Sequence, residues 1–522
     1  MKTKITLGIM GLFLAGNSIS QISTATLDQN NCSALLSDIG QFFNNPGLTS
    51  SGYEVPAGSG QKAIFSASMW FGGLDINGQL KLAATTYYPS QDLWPGALTN
   101  DGTATVVTPN PLIQTLWIVT KAQIDDHINN YQSPGYVIPG DILNWPAHGD
   151  VAQNQDYYLA PYVDIAGNGI YEPENGDYPC IKGDEAVYSI VNDMGAIHSS
   201  GGDPIGLEVH YMFYQFSSIP GLEDITFIDA HVINRGTQTL YDFTSTFFTD
   251  TDLGNATDDF IGSDSTRNLM YVYNADNNDE NNSGNLGYGV NPPALGIVCL
   301  SENVSSIGTY TNGAFIPYTD PQFPSDFYNL MSGYWTNGTE WTDNNGQGTN
   351  FMFNGDPNDP LQWSEVSAMN PGGDRRMIMS LRDTNGVFQP EEEYDVTYAV
   401  VYAQGADHLS SVTELFQVTD FVQNFYASTS QDCYGGNLGL SQSDAPTFLV
   451  YPNPSNGNFV LDLKDQEGIG TVTLLEMSGR IVAEQALVFG GKVDFVTNAS
   501  PGVYVIRVTS GRGDVTLRVV VE

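Results

Sequence analysis

Short apolar runs rich in Val, Ile, Phe and Tyr, broken by Gly, Pro, Asn and Asp, recur along the chain and predict strands joined by turns. Ala63–Phe71, Glu208–Phe216, Thr226–Asn234, Leu240–Thr249 and Tyr394–Ala403 are the clearest. In the last, Val396, Tyr398, Val400 and Tyr402 alternate with Thr397, Ala399 and Val401, which predicts a central strand buried on both faces. A helical period is rarer. Ser411 to Tyr426 carries Val412, Leu415, Phe416, Phe421, Val422 and Phe425 on one face, with Ser411 and Glu414 at capping-box spacing. Shorter helices are expected at Ser33–Phe43 and Lys121–Asn130. The expected fold class is mostly β: a large acidic β-sandwich-type domain with few helices, plus a small C-terminal β-sandwich.

The ends of the chain read differently from its middle. Lys2 and Lys4 precede an apolar stretch, Ile5–Ala15, and then small and polar residues, the pattern of a secretory signal cleaved between Ser18 and Ala25. No later run of about 20 apolar residues follows, so no transmembrane segment is expected. Tyr434–Thr447 is Gly, Ser, Asn and Asp without hydrophobic period, a linker. The expected division is a signal peptide over 1–25, a large β-rich extracellular domain over 26–433, a linker over 434–448 and a separate unit over 449–522.

Charge supports that division. The chain has 17 Lys and Arg against 59 Asp and Glu, a net of -42. From Leu449 onward 6 basic residues face 8 acidic ones, a net of -2; the remainder holds 11 against 51, a net of -40. Such acidity disfavours nucleic acid and anionic lipid surfaces as partners, and no nucleic-acid partner is expected.

Bottom-up, residues 449–522 are alternating strands separated by turns at Pro452–Gly457, Ser478–Gly479 and Pro501–Gly502, a sandwich of about seven strands. Three blocks carry a resemblance: Tyr451, Pro452, Asn453 and Pro454 with Gly457; Met477, Ser478, Gly479 and Arg480; and Ser500, Pro501, Gly502, Val503 and Tyr504. In this order, at the C-terminus, they resemble the type A C-terminal sorting domain of the type IX secretion system. The resemblance implies an Ig-like fold and recognition by the type IX translocon. It further implies removal in the linker by a sortase-like protease and a protein that is extracellular or attached to the outer cell surface. The chain ends in Val521 and Glu522, where that family often ends in a basic residue. The middle section is similar to uncharacterised exported proteins with the same tail, in SMWFGGLDINGQLKLAA, PYVDIAGNGIYEPENGDYP and DTDLGNATDDFIGSD. That similarity brings no activity with it.

Four cysteines in an oxidising compartment favour disulfides, and the expected pairs are Cys32 with Cys433 and Cys180 with Cys299. Their wide spacing argues against a zinc cluster. The segment Asp164–Asp177 offers oxygens at calcium-loop spacing from Asp164, Asn168, the Ile170 carbonyl, Glu172, Asn175 and Asp177, which makes calcium the candidate cofactor. Ala166 at the third position and Asn175 at the twelfth depart from an EF-hand. A second run, Asp250, Asp252, Asp258, Asp259 and Asp264, must either turn apart into water or share a cation.

No catalytic residues are assigned. His148, His198, His210 and His231 have neither metal-ligand spacing nor a nucleophile motif beside them, though Glu208 and His210 share a strand face. Trp70, Trp94, Trp117, Trp145, Trp335 and Trp363, with Tyr87 and Tyr88, are mostly expected as core or turn anchors rather than a sugar platform. The expected function is a secreted or surface structural or binding protein, contacting surface polysaccharide, another glycan or protein. The alternative is an extracellular hydrolase acting on a polymer.

Overall fold

The computed structural model describes residues 22–429 and 449–521, apart from 49, 109–111, 113, 283, 383–385, 452–454, 456, 463–467, 477–479, 490–491, 498 and 511–512. The elements that matter for the site are the strands β1 (Ser66–Leu74), β2 (Glu185–Asn192), β3 (Leu207–Gln215), β4 (Ile225–Asn234), β5 (Leu240–Asp250), β6 (Asp259–Asp264), β7 (Leu269–Asn274), β8 (Ala294–Cys299), β9 (Ser306–Thr311), β10 (Arg375–Arg382) and β11 (Glu393–Ala403). Three helices, α1 (Lys121–Asn130), α2 (Pro324–Met331) and α3 (His408–Ser428), accompany them.

Two antiparallel sheets dominate. An eleven-stranded sheet contains β9, β10, β5 and β1 side by side, and a nine-stranded sheet runs β2, β3, β4, β11, β8, β7, β6. Alternation along each strand sends one set of side chains between the sheets: Val209, Tyr211 and Phe213 from β3 and Ile228, Ala230 and Val232 from β4 meet Met69 and Phe71 from β1 and Phe247 from β5. β11 lies between β4 and β8, as its unbroken apolar run predicts.

Both sheets also bury much of their outer faces, which explains why so many strands are apolar on both sides. On the eleven-stranded sheet, Trp70 and Phe248 pack against Phe327 and Leu330 of α2 and against Trp341. Gly308 of β9 makes room for that indole, since a Cβ there would lie 2.2 Å from the Trp341 ring. On the nine-stranded sheet, α3 lays Val412, Leu415 and Val422 over the strands, and α1 adds Ile124. Asp407 caps α3, accepting from Ser410 N at 2.7 Å. The helix therefore starts before the expected Ser411, whose hydroxyl instead donates to the Pro292 carbonyl at 2.7 Å.

The helix expected at Lys121–Asn130 is present with those bounds, capped by Thr120 and Gln123. The one expected at Ser33–Phe43 is not. That segment forms strands Ser33–Ser37 and Gln41–Phe42, because Ala34 and Leu36 alternate into the core and Gly40 turns the chain at φ +68°.

The C-terminal unit is a separate seven-stranded sandwich. Three strands (Leu449–Tyr451, Asn458–Asp462, Lys492–Val496) face four (Gly468–Glu476, Ile481–Phe489, Gly502–Ser510, Gly513–Val521) across a core of Phe459, Leu461, Val472, Leu474, Phe495 and Ile506. Tyr451 ends its first strand, and Gly457 turns at φ +89°. Arg480 precedes the strand Ile481–Phe489. Pro501 and Gly502 lead into the strand where Tyr504 is buried, its hydroxyl donating to the Ser500 carbonyl at 2.7 Å. Pro452, Asn453, Pro454, Ser478 and Gly479 lie outside the described residues.

The cysteines depart from expectation. Cys32 and Cys299 are free and buried, so neither Cys32–Cys433 nor Cys180–Cys299 forms. Cys32 sits in the sandwich interior beside Tyr53, and Cys299 ends β8 opposite Tyr398 of β11, both within the core cluster between the sheets. Cys180 is disulfide-bonded, and Cys433 lies outside the described residues.

Candidate functional site

Where the helical layer leaves the nine-stranded sheet uncovered, a cleft of about 930 Å³ opens. Its floor is a polar stripe across three neighbouring strands. On β3, His210 points outward between the inward Val209 and Tyr211, with the buried Glu208 on the same face but not in the cleft lining; on β4, Asp229 and His231 point outward too; on β11, Glu393, Asp395 and Thr397 complete the stripe. The antiparallel register aligns His210 with His231 and His231 with Asp395. Tyr158, Tyr162 and Asp164 from the long connection before β2, and Tyr426 from the end of α3, form walls.

The two histidines differ in their surroundings. The carboxylate of Glu208 can only accept, so His210 Nε2–H donates to it at 2.9 Å, while Nδ1 lies 2.9 Å from the Tyr188 hydroxyl. Glu208 is fully buried; burial opposes its charge, but the hydrogen bond from His210 and the charges of His210 and Arg235 hold its carboxyl below the usual range. Arg235 is itself buried and reaches Glu208 at 3.1 Å, Asp156 at 3.2 Å and Glu391 at 3.3 Å.

His231 is open to the cleft, 34% exposed through its side chain. Its Nδ1 lies 2.8 Å from Asp395 Oδ1 and its Nε2 3.4 Å from Glu393 Oε2. Burial lowers its pKa, yet the hydrogen bond and charge of Asp395 and the charge of Glu393 prevail and raise it above 6.5. Lys182 pairs with Asp229 at 2.7 Å, and Asp229 also accepts from the Thr397 hydroxyl at 2.8 Å. Nearly every polar group on the floor is therefore fixed by a neighbour of opposite character, which preorganises donors and acceptors.

The calcium-loop candidate forms part of the rim, with Asp164 and Gly169 lining the cleft. The loop is held by its own amides: Asp164 accepts from Gly167 N and Gly169 N at 2.6 Å each, and Asp177 from Ile165 N at 2.8 Å and Glu172 N at 2.7 Å. Asn168 accepts from Ile170 N and donates to Glu172, while Asn175 closes a turn onto the Glu172 carbonyl. Among the described residues, the group of three carboxylates close enough to share an ion lies elsewhere, at Asp250, Asp252 and Asp374. The acidic run read from the sequence is thus divided. Asp264 turns away to Arg267 at 2.6 Å, Asp259 is fully buried, and Asp374, distant in sequence, joins the first two. Burial and the charge of Asp374 push the Asp252 carboxyl up to about 7.

In the sequence Glu208 and His210 fall on one strand face, while the histidines as a set lie scattered. The missed signal was a period-two polar stripe, Glu208/His210, Asp229/His231 and Glu393/Asp395, inside three otherwise strongly apolar strands. Of the tryptophans, Trp70, Trp117 and Trp145 are core residues, and the cleft's aromatic rings are tyrosines.

Residues 449–522 match the family model of the secretion system C-terminal sorting domain. The sorting domain covers the separate sandwich described above and none of the cleft. It marks the chain for export by the secretion system that reads such tails, and no helix among the described residues is long and apolar enough to cross a membrane. No curated protein matches the chain. Among solved structures, a polysaccharide lyase is 11% identical over 60% of this chain and 34% of its own, with a TM-score of 0.18. The chain thus spans about a third of that lyase's length. A putative aldose 1-epimerase from Escherichia coli K12 is 10% identical over 74% of this chain and 100% of its own, with a TM-score of 0.24. At these scores neither likeness bears on fold or activity.

Proposed function

We propose that the large domain is an extracellular glycan-binding module, carried out of the cell by its sorting tail, whose cleft holds a neutral saccharide unit. The observation that carries this reading is the paired polar floor, Lys182–Asp229 and His231–Asp395, with Arg235 beside it, flanked by Tyr158 and Tyr162. A sugar presents hydroxyls that donate and accept at once and an apolar ring face, which such a surface meets with fixed hydrogen bonds and tyrosine stacking. Around the cleft, Asp156, Asp164, Asp229, Glu393 and Asp395 outnumber Lys182 and Arg235, so uronate- or sulfate-rich polymers are disfavoured. After transit the tail is removed in the linker by a sortase-like protease, leaving the module at the cell surface or in the medium.

A glycan array with the purified protein, followed by calorimetry on the hits, tests this. Neutral oligosaccharides are expected to bind, and Asp229→Ala with His231→Ala to remove that binding. Binding to acidic glycans alone, or unchanged affinity in both variants, would refute it. One observation favours the hydrolase alternative: His231, oriented by Asp395 and open to the cleft, is a group able to move a proton. Release of reducing sugar from a bound polymer, lost in His231→Ala, would select that reading.

A further inference from the structure

We infer that Asp250, Asp252 and Asp374 form a binding site for one hard divalent cation of calcium's class, remote from the glycan cleft and from the Asp164 loop. Asp250 ends β5, Asp252 lies in the turn that follows, and Asp374 immediately precedes β10, so an ion there ties the β5–β6 connection to the neighbouring strand. A carboxylate oxygen from each lies within 4.8 Å of one from each of the others. Ligands about 2.4 Å from a shared calcium ion can stand no more than about 4.8 Å apart, so the spacing is compatible with one shared ion.

Two further observations bear on the site. Asp250 is 2% exposed, and its Oδ1 has no hydrogen-bond partner, although Oδ2 is met by Arg376 at 2.9 Å. Tyr310 stands directly across from Arg376 on β9, is 1% exposed, and its hydroxyl is also partnerless. A buried carboxylate oxygen without a donor is costly unless a cation or proton meets it. Arg376 also pairs with Asp374, and with all three carboxylates ionised one guanidinium would leave two negative charges unmatched within the group. A divalent cation supplies that charge, and an all-carboxylate set selects a hard ion over zinc or copper.

The test uses the full-length purified protein after chelation and dialysis. Calcium chloride is titrated by calorimetry, and melting is followed with calcium and with chelator. Wild-type protein is expected to bind one calcium ion and to melt higher with it. Asp252→Asn, with Asp374→Asn as a second variant should the first fail to fold, is expected to weaken binding at least about tenfold. Asp164→Ala is expected to retain it. Absence of calcium heat with identical melting in chelator overturns the inference. So does wild-type affinity in both asparagine variants, or loss of binding in Asp164→Ala alone.

Discussion

His210 and His231 stand opposite each other on adjacent strands, their ring centroids 5.7 Å apart, yet they occupy different chemical worlds. His210 is sealed between Tyr188 and the fully buried Glu208, whereas His231 reaches the cleft beside Asp395. The first serves the floor's architecture and the second is available to a ligand.

That difference predicts a split between stability and binding. His210→Ala removes two hydrogen bonds and leaves Glu208 short of a donor, and is expected to cost about 1–3 kcal/mol in urea unfolding. His231→Ala is expected to stay within about 0.5 kcal/mol of wild type while losing saccharide affinity. Equal destabilisation by both would remove the distinction.

The His231–Asp395 pair has a defined pH signature. With its folded pKa raised above 6.5, His231 contributes stability that is complete below that value and lost as pH rises through the folded pKa. The Asp395 carboxyl is held down by the hydrogen bond from His231, so its contribution is present above about 3.8 and lost as pH falls through its lowered value. An NMR titration of the His231 ring is expected to show a midpoint above 6.5 that returns toward it in Asp395→Asn.

Both free thiols are inert while the protein is folded, since burial pushes Cys32 and Cys299 up to about 12 each. A thiol reagent at pH 8 is expected to label neither in the native protein and both after unfolding without reductant. Peptide mapping is expected to join Cys180 to Cys433, the cysteine the sequence leaves for it.

The mature N-terminus is expected at or before Thr24. The strand Thr24–Leu27 pairs with Ser33–Ser37 and buries Ala25 and Leu27, so cleavage after Ala25 would remove half of it. N-terminal sequencing of the exported protein checks this.

Deleting residues 449–522 is expected to keep the large domain inside the cell, because the sorting domain is lost while the large domain's separate core is left intact. Immunoblots of medium and cell fractions measure the outcome.

Strand content, the central place of Tyr394–Ala403, the Lys121–Asn130 helix and the sorting tail are all legible in the amino-acid pattern. Each is local, written in the alternation of neighbouring residues, in caps three residues apart, or in short turn motifs. Tertiary structure decided the rest, because it depended on which strands became neighbours. Only the β3–β4–β11 order places His210, His231 and Asp395 on one floor, and only the approach of β10 to β5 brings Asp374 to Asp250. The cysteines show the same limit: their spacing was compatible with two bridges, but the packing of the two sheets enclosed Cys32 and Cys299 separately among apolar side chains.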